Sequence, residues 1–541
     1  MRRLRPLDFR TEDLTLETVL TRQARRHGDK PYLLFEDRRF SYAEVEDVTR
    51  RLAEGMLRCG LHKGQHVAVL AANSPESLFM HFALGRMGAI ACAVNTAAKG
   101  EMLTYFLDFA DCTALVCDSA HLSRFQEVAQ SVPRLQQLVV IPDADAAAMP
   151  PPGDRPALYY DELLRPGASV VRPTVQPADV HGIFFTSGTT GPSKGIVATS
   201  AQILAFAAGR VEFLDMREDD VVYTCLPLFH GNALHTAAFS ALLTGATLAL
   251  GRRFSASGFW SEARRHKATY VNLLSSMTDI LWAQPPSPQD RQHSIRQCTM
   301  VPVPAFARAF EERFNTRIVS SYALSDFGQG TFLQPGFPAE KFRSAGQVRP
   351  GVEMRVVDDD DRVLPPGEPG EICLRSAVPE LGRRSYYKHE QLTDVLNRDG
   401  WFHTGDRGYL DEDGYLFFVD RKKDAIRRRG ENISSWEVEQ AIAAHPSIAE
   451  VAVIPVASGM SEDEVAAFLV VAAGHAPDPA EIIRFCERNL AYFMVPRFIA
   501  YVDSLPKTPT QKVQKQQLQE MARLNPAIFW DREQAGVVLT R

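Results

Sequence analysis

Short apolar runs alternate with amphipathic stretches along most of the chain, a pattern that predicts strands and helices in alternation and hence an α/β protein. The clearest unit is His66-Val67-Ala68-Val69-Leu70, a buried-strand candidate that runs into Asn73-Ser74-Pro75-Glu76. Ser74 is suited to cap a helix there, because its hydroxyl can accept from an otherwise unpaired amide. Pro75 suits the first helical turn, where its missing amide costs nothing. Further strand candidates span 114–117, 138–141, 182–185, 221–225, 269–273 and 318–321.

A chain of 541 residues exceeds what one hydrophobic core serves, so at least two domains are expected. Near Gly346 the strands become shorter and the turns Pro350-Gly351, Pro366-Gly367 and Pro369-Gly370 follow one another. This predicts a β-rich subdomain over roughly 340–420. After Asp420 comes a basic run and then a mixed α/β segment of about 120 residues, enough to fold separately. The segments 142–153 and 284–290 are proline-rich and read as surface loops, and no internal repeat is seen. Past Leu524 the tail carries no motif.

Composition narrows the partners. Hydrophobic residues make up 45% and charged residues 23%, with a net charge of -6 and a pI near 6.2. A nucleic-acid footprint would need a high pI and clustered basic surface. The eight cysteines form no CxxC pair and lie in apolar stretches, which reads as free thiols in a reducing cytoplasm. The basic N-terminus MRRLRPLDFRTEDL lacks a following apolar run, so no signal peptide is expected. The most apolar stretch, 237–250, is interrupted by Ser240, Thr244, Gly245 and Thr247 and is too short to span a bilayer. The default location is the cytoplasm.

The strongest chemical signal is Thr186-Ser187-Gly188-Thr189-Thr190-Gly191-Pro192-Ser193-Lys194-Gly195, directly after the apolar run Ile183-Phe184-Phe185. Glycines let a backbone wrap closely around a ligand, hydroxyls and amides donate to phosphate oxygens, and Lys194 adds positive charge. A kinase-type loop needs Ser or Thr after its Gly-Lys, whereas Gly195 follows Lys194 here, so that reading fails. The bland alternative is a flexible polar loop, which so dense a run after a strand disfavours.

This decapeptide resembles the phosphate-binding loop of the adenylate-forming superfamily of acyl-CoA synthetases, peptide-synthetase adenylation domains and luciferase. Other landmarks follow in the family's order and cover nearly the whole chain. Leu226-Pro227-Leu228-Phe229-His230 is similar to the segment whose aromatic or His side chain lines the carboxylate site, although a lone His is more often structural. Tyr322-Ala323-Leu324-Ser325-Asp326 stands where the family has Tyr-Gly-x-Thr-Glu. The resemblance implies that Tyr322 stacks on adenine, that Ser325 touches phosphate and that Asp326 binds magnesium. Thr404-Gly405-Asp406 resembles the family's Thr-Gly-Asp, whose acceptor-only carboxylate takes hydrogen bonds from the ribose hydroxyls. Arg421 matches a second ribose contact, and Lys423 falls at the family's hinge. Gly430-Glu431-Asn432-Ile433 resembles the loop that completes the pantetheine tunnel, and Lys512, in Leu505-Pro506-Lys507-Thr508-Pro509-Thr510-Gln511-Lys512, the catalytic lysine. The run Arg427-Arg428-Arg429 is either a solvated face or a contact to CoA phosphates.

The fold implied is a large N-terminal domain, 1–422, of α/β subdomains and the β-rich subdomain, joined at Lys423 to a small, mobile α+β domain, 423–541. The activity implied is ATP-dependent formation of an acyl-AMP with magnesium, then transfer of the acyl group to coenzyme A. Phe259-Trp260-Ser261, Ala283-Gln284-Pro285-Pro286-Ser287 and the stretch from Arg428 to Ser434 look closest to carnitine/crotonobetaine-CoA ligases. Ligases for bulky natural-product acids are a second resemblance.

The chain also departs from the family pattern. Asp326 is one methylene shorter than Glu, Ser325 replaces Thr, and Ala323 replaces Gly. Met300-Val301-Pro302-Val303-Pro304 stands where a Gly-Gly-Ala-Pro strand end shapes the adenine and acyl sites, which puts Val301, Val303 and Ala323 in the acyl pocket. Pro192-Ser193 inverts the usual order in the phosphate loop, and Gln511 replaces the Gly before Lys512. These changes fall on parts used for adenylation, so a thioester-only enzyme fed acyl-AMP by a separate adenylating ligase stands beside the complete ligase. A carrier-protein phosphopantetheine as acceptor, with no carrier domain after residue 541, and a non-catalytic acyl-adenylate-binding protein are further alternatives. A homodimer is left open.

Overall fold

The computed structural model of the protein describes residues 9–142, 155–185, 194–301, 303–382, 384–421, 426–428, 431–433, 435–457, 463–490, 494–508 and 512–539. Residues up to 185, from 194 to 353 and from 375 to 400 make one compact unit. Those from 354 to 374 and from 401 onward make the other.

The first unit holds two large sheets. One runs, in spatial order, Arg317–Val319, Gln297–Val301, Tyr270–Leu274, Val221–Thr224, Thr247–Leu250, Pro31–Phe35 and Arg38–Ser41, parallel except for its last strand. The other runs Ser385–Tyr386, Gly195–Thr199, Val180–Phe185, Ile90–Ala93, His66–Leu70, Ala114–Asp118, Gln137–Ile141 and Ala157–Tyr159. Its first three strands are antiparallel and the rest parallel. All the strand candidates read from the sequence are present, with ends shifted by one or two residues.

The helix Pro75–Met87 is buried at every position except Glu76. A helix buried on all sides has no solvent face to present and belongs in a core. The one arginine in this helix, Arg86, is paired with Glu17 and Glu46. Ser74 caps it, accepting from the Ser77 amide at 3.0 Å, with Pro75 in the first turn as the sequence predicts. Just before it, Asn73 is 5% exposed and spends its amide on the other sheet's loops. Its Nδ2 donates to the Leu226 and Gly251 carbonyls, each at 2.9 Å, and its Oδ1 accepts from the Leu228 amide at 2.9 Å.

The second unit opens with an antiparallel sheet built on Gly370–Ser376, Trp401–Leu410 and Leu416–Arg421, apart from the end residues of the first of these strands. Its C-terminal part is a four-stranded sheet of Ile448–Ala457, Asp463–Val471, Phe498–Tyr501 and Trp530–Asp531. The helices Ser435–Ala443, Pro479–Asn489 and Lys515–Leu524 accompany it, with one apolar cluster around Val453 and Ile482 and another around Ile454 and Leu518. The tail beyond Leu524 therefore supplies a strand to this sheet, which no sequence motif announced. Seven of the eight cysteines are buried and Cys59 is exposed; all are free thiols. Among the described residues no helix is long and apolar enough to cross a membrane.

Three histidines lie inside the first unit. Burial pushes His81 down to about 3 and His181 down to about 4. It also holds His235 well below its ordinary value, with the Arg384 guanidinium adding positive charge nearby. Each is held neutral by the fold, so the unfolded chain binds its proton first, at pH values below about 6.5. Stability is whole above that pH and is lost as the pH falls toward the folded-state values. The melting temperature should drop between pH 6.5 and 4.5. Replacing His81 and His181 together by Gln should flatten the stability slope in that window by up to about 1.4 kcal/mol per pH unit for each histidine.

Candidate active site

In open α/β sheets, ligands gather beyond the carboxyl ends of the strands. Several of the residues singled out in the sequence follow such ends in the first unit. Val301 ends the strand Gln297–Val301, Tyr322 follows the adjacent strand Arg317–Val319, and His230 follows Val221–Thr224 two strands away. Asn73 fixes the Leu226–Leu228 stretch immediately before His230, whose amide donates to the Pro227 carbonyl at 3.0 Å. The His230 ring lies 4.6 Å from Phe229. Just after it, Leu234–Phe239 forms a π-helical turn, a rare geometry that is frequent at functional sites.

Tyr322 is nearly buried, and its backbone is held by Thr331, whose hydroxyl accepts from the Tyr322 amide at 3.1 Å and donates to the Ala345 carbonyl at 2.5 Å. Ala323–Leu324 pairs antiparallel with Gly328–Gln329, so Ser325, Asp326 and Phe327 form the tip of a tight hairpin. Gly328 has φ +116° and sits against the Phe206 ring, a conformation that side-chain-bearing residues rarely adopt. Ser325 and Ala323 are exposed, Asp326 and Val303 are half-buried, and Val301 is 38% exposed.

The residues Thr186, Ser187, Gly188, Thr189 and Thr190 lie outside the described residues. The strands that enter and leave that loop are antiparallel partners, with Phe185 opposite Gly195. A Cβ at Gly195 would lie 2.8 Å from Ile183 Cγ2 and 3.2 Å from Phe109 Cε1, so the return strand closes only over a glycine. Lys194 stands just before it, half-buried.

Two residues absent from the sequence reading reach the Ser325-Asp326 turn. Tyr386 Oη donates to Asp326 Oδ2 at 2.5 Å, and the Arg384 guanidinium donates to the Ser325 carbonyl. The Arg-Ser-Tyr-Tyr stretch that carries them was visible in the sequence, but nothing there placed it beside residue 326.

In the second unit Asp406 is 4% exposed and stands directly opposite Arg421 in the ladder. The two candidate ribose contacts are thus cross-strand neighbours; of Arg421 only the backbone is described. The approach to Asp406 is fixed by the Thr404 hydroxyl, which donates to the Ile372 carbonyl at 2.7 Å and accepts from the Asp406 amide at 3.1 Å. The Gly405 amide donates to Glu371 Oε1 at 3.0 Å.

Lys512 is exposed at the end of a small hairpin. Thr508 closes that hairpin twice, its amide donating to the Lys512 carbonyl at 2.7 Å and its hydroxyl accepting from the Lys512 amide at 3.1 Å. Lys423, Arg429, Gly430 and Gln511 lie outside the described residues. The strands Ile426–Arg428 and Glu431–Ile433 pair around 429 and 430. Arg428 is 2% exposed, with Nε 2.7 Å from Glu464 Oε2 and Nη1 donating to the Val495 carbonyl at 3.1 Å. The middle of the basic run is therefore internal, neither a solvated face nor a phosphate contact, because its charge is compensated inside the fold.

A family model described as AMP-binding enzyme matches residues 20–382, and one described as AMP-binding enzyme C-terminal domain matches residues 437–512. The chain belongs to the AMP-binding enzyme family. It is 34% identical over 505 residues to the crotonobetaine/carnitine–CoA ligase of Salmonella choleraesuis (strain SC-B67), covering 91% of this chain and 96% of that relative. Among solved structures, the anthranilate CoA ligase AuaEII in complex with anthranoyl-AMP matches with a TM-score of 0.86 at 25% identity, over 96% of this chain and 99% of that one. The o-succinylbenzoate coenzyme A synthetase MenE of Bacillus subtilis, in complex with ATP and magnesium, matches with a TM-score of 0.80 at 26% identity, over 92% and 98%. The chain is an AMP-forming acid–thiol ligase, and its reaction uses ATP, magnesium and coenzyme A.

Magnesium is usually held by one or two carboxylates with substrate phosphates completing the shell. One half-buried aspartate at a hairpin tip fits an ion that arrives with ATP. Among the described residues no group of three or more His, Cys, Asp and Glu side chains could hold a metal by itself.

Asn73→Leu should leave the Leu226 and Gly251 carbonyls and the Leu228 amide unpaired inside the core. A loss of about 2–4 kcal/mol is expected by urea denaturation.

Proposed function

We propose that this chain performs both half-reactions itself, with each residue in the role its motif implies. Tyr322 stacks on adenine, and Asp406 and Arg421 hold the ribose. Residues 186–190, Lys194 and Ser325 hold the phosphates, Asp326 would hold the magnesium, and His230 orients the acid beside Val301, Val303 and Ala323. The acid's carboxylate attacks the α-phosphorus of ATP and pyrophosphate leaves. The thiol of coenzyme A then attacks the acyl-adenylate carbonyl and AMP leaves. Lys512 donates to phosphate oxygens as negative charge develops on them. Bound magnesium would spread the same charge. The chain turns at Lys423, the boundary between a domain of 1–422 and one of 423–541, to bring Gly430 and Arg429 to the pantetheine arm. Carnitine and crotonobetaine are the first acids to test, because the relative at 34% identity is named for them. The setting is the cytoplasm, supported by eight free thiols.

The observation that carries this reading is the Thr508-closed hairpin, which fixes the backbone of Lys512 and leaves its side chain exposed to reach a ligand. A second reading is favoured by Asp326 and Gln511: adenylation is lost, and the enzyme forms thioesters from acyl-AMP made by a separate ligase.

Lys512→Ala should slow adenylation roughly 10²–10³-fold and leave thioester formation from supplied acyl-AMP nearly untouched. Asp406→Ala should weaken acyl-AMP binding by about 1.5–3 kcal/mol, read by calorimetry. Wild-type protein that makes acyl-CoA from acyl-AMP, yet releases no pyrophosphate across a broad acid panel, would establish the thioester-only reading. Asp326→Glu and Gln511→Gly would then be expected to restore adenylation.

A further inference from the structure

The strand Ser385–Tyr386 lies at the edge of the sheet that carries the phosphate loop, with Tyr386 opposite Ile196 and Ser385 opposite Val197. The next residue continues the contact, its amide donating to the Gly195 carbonyl at 2.8 Å. The same short segment turns two side chains toward the Ser325-Asp326 hairpin. Tyr386 is 5% exposed, and its hydroxyl donates to Asp326 Oδ2 at 2.5 Å. Arg384 is 7% exposed and lies 5.9 Å from the Phe206 ring centre, and among the described residues its Nε has no hydrogen-bond partner. Its guanidinium donates to the Ser325 carbonyl, next to Asp326.

A tie between an edge strand and a hairpin could be scaffolding alone. The chemistry of the tie argues for more. A carboxylate that already accepts a short hydrogen bond from a phenol, and lies in the field of a buried guanidinium, has less charge to offer a divalent cation. Asp326 also has the shorter reach of the two acidic side chains. We propose that Tyr386 and Arg384 are positioning residues that orient Asp326 toward the nucleotide's magnesium while weakening the protein's own hold on the ion. This inference rests on the reading of Asp326 as the metal-facing carboxylate.

The test is titration of the full-length protein with Mn2+ and a non-hydrolysable ATP analogue, reading free Mn2+ by electron paramagnetic resonance. Tyr386→Phe and Arg384→Met should each tighten Mn2+ about threefold to tenfold, while adenylation slows because Asp326 loses its orientation. Arg384→Lys keeps the charge and should stay near the wild-type affinity. Folding of each variant is checked by its thermal melt, and the lysine variant keeps the comparison open if the methionine one is unstable. Unchanged or weakened Mn2+ binding in Tyr386→Phe would overturn the inference, as would Lys and Met behaving alike at 384. Asp326→Asn separates the two ideas. If it weakens Mn2+ while Tyr386→Phe does not tighten it, the metal reading stands and the positioning role falls. If it has no effect, the metal reading itself fails.

Discussion

One buried amide organises the first unit. Asn73 leaves the strand His66–Leu70 of one sheet and hydrogen-bonds to Leu226, Leu228 and Gly251, in the loops beyond two strands of the other. A buried polar side chain is tolerated only when its donors and acceptors are matched, and here both amide hydrogens and the carbonyl oxygen are. The carboxyl-terminal ends of the two sheets are thereby fixed to each other at the point where the His230 segment begins. An aliphatic residue would fill the volume and leave three backbone groups unpaired.

The edge of the phosphate-loop sheet shows how a motif becomes a site. Gly195 is the last residue of a ligand-binding signature, but what its own position requires is packing, since a methyl there would meet Ile183 and Phe109. That close return lets Ser385–Tyr386 add to the sheet, and the added strand delivers Tyr386 and Arg384 to Asp326. Return strand, edge strand and acidic hairpin are thus tied together by hydrogen bonds between segments about 60 to 190 residues apart in sequence.

The departures from the family pattern acquire a physical context in the same place. Asp326 meets a phenol at 2.5 Å, and a guanidinium on the neighbouring carbonyl lies within range of its charge. A shorter acid with fixed partners can be a tuned metal contact or a relic of lost adenylation.

The sequence by itself determined the α/β class, the cap at Ser74, the strand positions and the family, because these depend on local periodicity, on capping chemistry and on motifs a few residues long. It also placed Asp406 and Arg421 in one functional group, and the ladder makes them neighbours. Tertiary structure alone decided the rest. Arg428 looked like surface charge and is internal, because its partners Glu464 and Val495 are 36 and 67 residues away. Trp530–Asp531 looked like tail and is a strand, because its pairing partner is Phe498–Tyr501. Tyr386 and Arg384 carried no signal, because a hydrogen bond between residues 60 apart leaves no period in the sequence and exists only once the sheet edge has formed.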